Sequence, residues 1–81
     1  YSRVTMLHFH GRAGMKEMAQ EVFDAMRVSG DVVDVRTYTS LIQAYLNARD
    51  YRGAAQKRQE MIELGITPTE RIEKLIAWHK E

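Results

Sequence analysis

The sequence predicts an all-α fold built from repeated antiparallel helical hairpins, and three observations carry that reading. The chain matches itself at an offset of 35 residues: Ala13, Ala19, Met26 and Gly30 recur as Ala48, Ala54, Met61 and Gly65, while Thr5, Met6 and Leu7 fall on Ser40, Leu41 and Ile42. A period of that size marks arrays of supersecondary units. The five glycines and the single proline lie near segment boundaries, Gly53 apart, which suits helices separated by short breaks. Apolar residues recur at helical spacing, as in Met18, Val22 and Met26 with Ala19 and Phe23 beside them, a stripe suited to packing on a partner helix.

Composition bounds what such a fold can do. With 81 residues, 44% of them apolar, the chain builds one small domain, so a cleft between domains is excluded. Twelve Lys and Arg oppose 11 Asp and Glu for a net charge of +1, which is neither a basic nor an acidic tail. The absence of cysteine excludes a disulfide framework, a cysteine-based zinc site and a thiol nucleophile. No apolar run approaches the ~20 residues of a membrane span, and no leader opens the chain, so no membrane partner is expected. Because Tyr1 stands directly before an apolar-periodic stretch, further residues are expected upstream.

Three units follow in order, covering residues 1–34, 35–69 and 70–81. In the first, helices are expected over Arg3 to His10 and Met15 to Val28, broken at Gly11 to Gly14, where two glycines within four residues disfavour helix. In the second they run from Thr37 to Asn47 and from Tyr51 to Leu64, broken at Ala48 to Asp50. Gly30 and Gly65 stand where helix ends call for a left-handed residue, and Pro68 follows as a stop. Thr69 is set to cap a tail helix that holds Ile72, Leu75 and Trp78, and Trp78 is expected to bury against the second unit. Helix 51–64 has the weakest stripe, because Gln56, Lys57, Arg58 and Gln59 interrupt it.

The string Thr37, Tyr38, Thr39, Ser40, Leu41, Ile42, followed by Ala54 and then Glu60, Met61, Gly65, Ile66 and Pro68, resembles a pentatricopeptide repeat. The first unit resembles the same family through Met6, Leu7, Gly11 to Gly14, Ala19, Phe23, Met26 and Gly30, with an altered opening. Tetratricopeptide repeats require a Trp-x-x-Leu-Gly opening that neither unit has. The resemblance covers residues 1–69, and the tail resembles the first helix of a third repeat or a capping helix.

It implies a right-handed α-solenoid of helix-turn-helix hairpins that binds single-stranded RNA, one base per repeat. Carried over residue by residue, it makes Thr39 and Thr69 the base readers of the second unit and Val4 and Asp34 those of the first. Arg36 and Tyr1 become the base-stacking residues, and Arg12 and Arg49 the phosphate contacts. Arg71 receives no role, so Arg36→Ala is expected to weaken RNA binding more than Arg71→Ala. A hydroxyl at Thr69 donates or accepts, and Val4 does neither, so affinity is better supported than sequence choice. The resemblance also implies a chloroplast or mitochondrial setting in RNA processing, stability, editing or translation. The alternative is a scaffold repeat contacting protein subunits of an organellar ribonucleoprotein or transcription complex. Arg58 favours it, standing where the first unit has the core residue Phe23.

The remaining candidates carry less. His8 and His10 point ~200° apart on a helix, so no shared metal is expected and both histidines are read as facing solvent or RNA. Tyr38 and Tyr45 are read as packing residues. Arg49, Arg52, Lys57 and Arg58 also read as ordinary surface cations paired with Glu60 or Glu63. Carboxylate pairs such as Glu60 with Glu63 lie on helix faces without a cleft. No catalytic residue, cofactor or small-molecule substrate is assigned.

Overall fold

A computed structural model describes residues 3–79. Within them lie helices α1 (Arg3–Ala13), α2 (Lys16–Ser29), α3 (Val35–Asn47), α4 (Tyr51–Glu63) and α5 (Glu70–His79), with no strand among the described residues. Helices α1, α3 and α5 stack so that each touches the next, while α2 packs on α1 and α3, and α4 on α3 and α5. Helix α3 is central, in contact with all four of the others. It buries Thr37, Tyr38, Ser40, Leu41, Ile42, Ala44 and Leu46.

The helix ends follow one rule. After α1, α2, α3 and α4 the chain closes with a backbone bond spanning five residues: Met15 N to His10 O, Asp31 N to Met26 O, Asp50 N to Tyr45 O and Ile66 N to Met61 O. This is the bond of a Schellman cap, which needs a left-handed residue just before the donor. Those residues are Gly14, Gly30, Arg49 and Gly65, with φ of 71°, 77°, 64° and 83°.

Two helix boundaries shift by two residues or more from expectation, and one side chain points the other way. Helix α1 runs through Gly11 and Arg12 to Ala13, and the break falls at Gly14 and Met15 instead. Gly11 is helical because α3 passes over it: a Cβ there would stand 2.5 Å from the Ser40 carbonyl oxygen. Helix α3 begins at Val35, since Asp34 caps it by accepting from the Arg36 and Thr37 amides. Helix α5 turns Trp78 outward, 84% exposed, while Ile72 is buried and Leu75 and Ile76 are half-buried. Steps of three residues drift by ~60° each, so Trp78 lies ~120° around the helix from Ile72 and leaves the packed face.

The core joins Leu7, Ala19, Phe23, Met26, Tyr38, Leu41, Ile42, Ala44, Leu46, Ala54, Met61 and Ile72. Met18, expected in the α2 stripe, is exposed. Phe23 and Tyr38 meet edge to face, with centroids 5.0 Å apart, a favoured aromatic geometry. Burial raises the Tyr38 hydroxyl above the ordinary tyrosine value. Tyr45 packs half-buried and donates its hydroxyl to Gln20 Oε1 at 2.7 Å.

The 35-residue offset exposes a substitution of one contact by another. Phe23 and Tyr38 map onto Arg58 and Glu73, and those two residues form a double contact of their own, with Arg58 Nη2 2.8 Å from Glu73 Oε2. The aromatic pair at the first junction is thus an ion pair at the second. Arg58 therefore finds its acid on α5 rather than at Glu60 or Glu63, and Lys57 takes Glu60 at 2.9 Å. Arg58 holds the Glu73 carboxyl below the usual carboxylate range.

Candidate RNA interface

Stacking α1 on α3 and α3 on α5 aligns residues that share a repeat position. Val4, Thr39 and Lys74 are separated by 35 each, as are Tyr1, Arg36 and Arg71. Tyr1 lies outside the described residues. Val4 is half-exposed on α1. Arg36 and Arg71 are exposed on the first turns of α3 and α5, and neither has an ion pair among the described residues. Lys74 pairs with Glu70 one turn earlier, at 3.1 Å, with both side chains mostly exposed, a geometry worth little in water.

The polar groups of this row are partly committed to the backbone. Thr39 Oγ1 donates to the Val35 carbonyl at 2.6 Å, so it offers only lone pairs outward. Thr69 Oγ1 accepts from the Ile72 amide at 3.3 Å, capping α5 as expected, and retains its proton for donation. Asp34 takes the Arg36 and Thr37 amides and the Thr37 hydroxyl on one oxygen, Oδ1. The other oxygen has no partner among the described residues. Both residues assigned as last-position readers are thus helix N-caps as well.

The expected comparison of Arg36 with Arg71 loses its control here. The two occupy one repeat position, 35 residues apart, on adjacent helices. Arg71 and Lys74 carry no role in the sequence reading, although the same 35-residue offset from Arg36 and Thr39 reaches them.

At the opposite end of the same helices lie the cations assigned to phosphate. Arg12 is on the last turn of α1, and its carbonyl and that of Gly11 are 3.5 and 2.9 Å from Asn47 Nδ2. This side-chain amide joins α1 to the end of α3, two residues before Arg49. Asp50 caps α4 through the Gly53 amide and pairs with Lys16 at 2.8 Å. The Lys16 ammonium is the main cause that holds Asp50 below the usual carboxylate range, and Asp50 raises Lys16 in return. Arg12, Arg49 and Arg52 are exposed, and no ion pair engages them among the described residues. A left-handed residue with a side chain costs ~1–2 kcal/mol relative to its ordinary conformation, and glycine does not share that cost.

The two histidines part company. His8 Nδ1 lies 3.4 Å from Ser40 Oγ at the α1–α3 contact. His10, expected to face solvent or RNA, is only 8% exposed, and its Nδ1 finds no hydrogen-bond partner among the described residues. Among the described residues no group of three or more His, Asp or Glu side chains is placed to hold a metal ion. Two shallow apolar grooves mark the ends of the stack. One is lined by Thr5, Met6, Phe9 and His10, the other by Glu70, Arg71, Lys74, Leu75 and Trp78.

Comparison with known proteins matches residues 3–79 to the family model described as pentatricopeptide repeat-containing protein. A chloroplastic pentatricopeptide repeat-containing protein of Arabidopsis thaliana is 43% identical over 61 residues, covering 75% of this chain. A mitochondrial 15S rRNA processing factor of Zygosaccharomyces rouxii is 31% identical over 67 residues, covering 80% of this chain. The matched stretches span 6% and 8% of these relatives.

Proposed function

Since this chain belongs to the pentatricopeptide repeat family, we propose that it binds single-stranded RNA along the row formed by α1, α3 and α5. The observation that carries the reading is the alignment of Val4, Thr39 and Lys74, and of Arg36 and Arg71, at one spacing on consecutive touching helices. Thr39 and Thr69 read the base edge of the second repeat, one accepting and the other donating. Asp34 reads with its uncommitted oxygen, beside an apolar Val4. Tyr1, Arg36 and Arg71 stack bases, the arginines through their guanidinium planes. The chain acts as a binding module in organellar RNA processing, stability, editing or translation, in a chloroplast or mitochondrion like the relatives it resembles.

The test is binding of the full-length protein to a randomised single-stranded RNA pool at two salt concentrations, with the recovered sequences determined. Enrichment of a defined motif is the expected result, with affinity falling as salt rises. A second reading makes this stretch a scaffold repeat that contacts protein within an organellar complex. Val4, which offers neither donor nor acceptor at a base-facing position, favours it. Salt-erased binding without enrichment would replace the first reading by the second.

A further inference from the structure

We propose that Trp78 is a base-stacking platform for single-stranded RNA, set two turns beyond Arg71 on α5, with the Lys74 ammonium between them for a phosphate. The inference rests on the RNA-binding reading and adds a contact at a repeat position to which that reading assigns no role.

Trp78 stands on the base-facing side of its helix. Residues seven apart on a helix return to within ~20° of one another, and Lys74 falls within ~60° of Arg71. Arg71, Lys74 and Trp78 therefore form one stripe, and with Glu70 and Leu75 they line a shallow groove of about 390 Å³. Counted back by the repeat, the stripe continues as Arg36, Thr39 and Gln43 on α3. The indole is 84% exposed, with no ring contact among the described residues.

Stacking of repeats does not account for the indole. Gln43, its counterpart, keeps partial exposure although α1 and α5 both flank α3, while Ile42 and Ala44 on either side of it are buried. His8, the counterpart on α1, is exposed. A helix packed on the far side of α5, as α3 packs on α1, would cover Ala77, since its counterparts Ile42 and Leu7 are both buried. Trp78 would stay open. What the position offers instead is a large π-face beside two cations. Arg71 has no ion pair among the described residues, and Lys74 shares only an exposed one with Glu70. An aromatic face beside positive charge is the chemistry that holds single strands, the ring against a base and the cation on the backbone. An acidic protein surface would match the cations but leave the indole in water.

The experiment compares the full-length protein with its Trp78→Ala and Trp78→Phe variants, using the same randomised single-stranded RNA pool across a salt series. Thermal melting is followed in parallel. Trp78→Ala should bind about 5- to 100-fold more weakly, the loss of one base–aromatic stack. Its slope of log K against log salt should stay that of the parent, because an indole releases no counterion. Trp78→Phe keeps a ring and should retain most of the binding. Both variants should melt with the parent, since the indole is exposed. Unchanged affinity in Trp78→Ala, or a shallower salt slope, would overturn the platform. So would a loss in Trp78→Phe as large as in Trp78→Ala. A lower melting temperature in Trp78→Ala would overturn it too, by showing the indole packed within the full-length protein. Failure of the unaltered protein to bind the pool defeats the RNA reading itself, an outcome distinct from these.

Discussion

At Gly11 a hydrogen atom stands where any other residue would drive a methyl group into the Ser40 carbonyl, 2.5 Å away. The obstructing atom belongs to the backbone of a neighbouring helix and cannot swing aside. Gly11→Ala should therefore destabilise the protein by about 2 kcal/mol, the overpacking cost outweighing the ~1 kcal/mol that alanine gains as a helix former. Circular dichroism melting measures it, and a variant as stable as the parent would show that α1 and α3 separate without cost. Gly11 also marks a limit of sequence reading. Taken locally, Gly-Arg-Ala-Gly is a helix break, and only the approach of α3 reveals that its first glycine is a contact and its second a cap. Asp34 is similar: its repeat position was legible, but its capping of α3 was not, because capping depends on where the helix starts. Trp78 leaves the face of Ile72 because spacing by three drifts around a helix, and that drift is present in the sequence itself.

Between elements, one joint is aromatic and the equivalent joint is ionic. The sequence did show that Arg58 occupies the place of Phe23, but reading it as a broken core position overlooked Glu73, the residue that answers it at the place of Tyr38. The pair is a third to a half exposed, so its contribution is below about 1 kcal/mol and declines in high salt. Each of Arg58→Phe and Glu73→Tyr alone should lower stability, while the double variant recovers it by rebuilding an edge-to-face pair. A double-mutant cycle gives the coupling directly, and additive losses would mean that the two positions do not communicate. The acid response has a definite sign. Glu73 titrates lower in the folded chain than in the unfolded one, so its stabilisation is present above its ordinary value near pH 4 and is lost as pH falls through the lower, folded value. Melting at pH 6 and pH 3 should show a smaller difference in Glu73→Gln than in the parent, whereas equal differences would assign the acid sensitivity elsewhere.

On the scale of the whole molecule, both ends of the stack present apolar surface. Phe9 is 68% exposed, although its counterpart Ala44 is fully buried one repeat later. His10 keeps a buried nitrogen without a hydrogen-bond partner among the described residues, where Tyr45 at the same repeat position reaches Gln20. Arrays of this type draw stability from neighbouring units, so the isolated 81-residue stretch should melt broadly and at low temperature. A sharp transition at high temperature would count against that. The repeated plan was legible because it is written in an offset that any self-comparison finds. The contact between the ends of α1 and α3 was not legible, since it is made by the Asn47 side chain on the Gly11 and Arg12 carbonyls, 36 and 35 residues away in sequence.

The central position of α3 has a consequence for how the molecule comes apart. Every other helix leans on it, while among the described residues α1 touches α2 and α3, and α5 touches α3 and α4. Amide exchange should therefore be slowest in α3 and faster in the outer helices, which open by partial unfolding. Pulled from its termini, the chain would shed its outer helices one by one and surrender the middle one last.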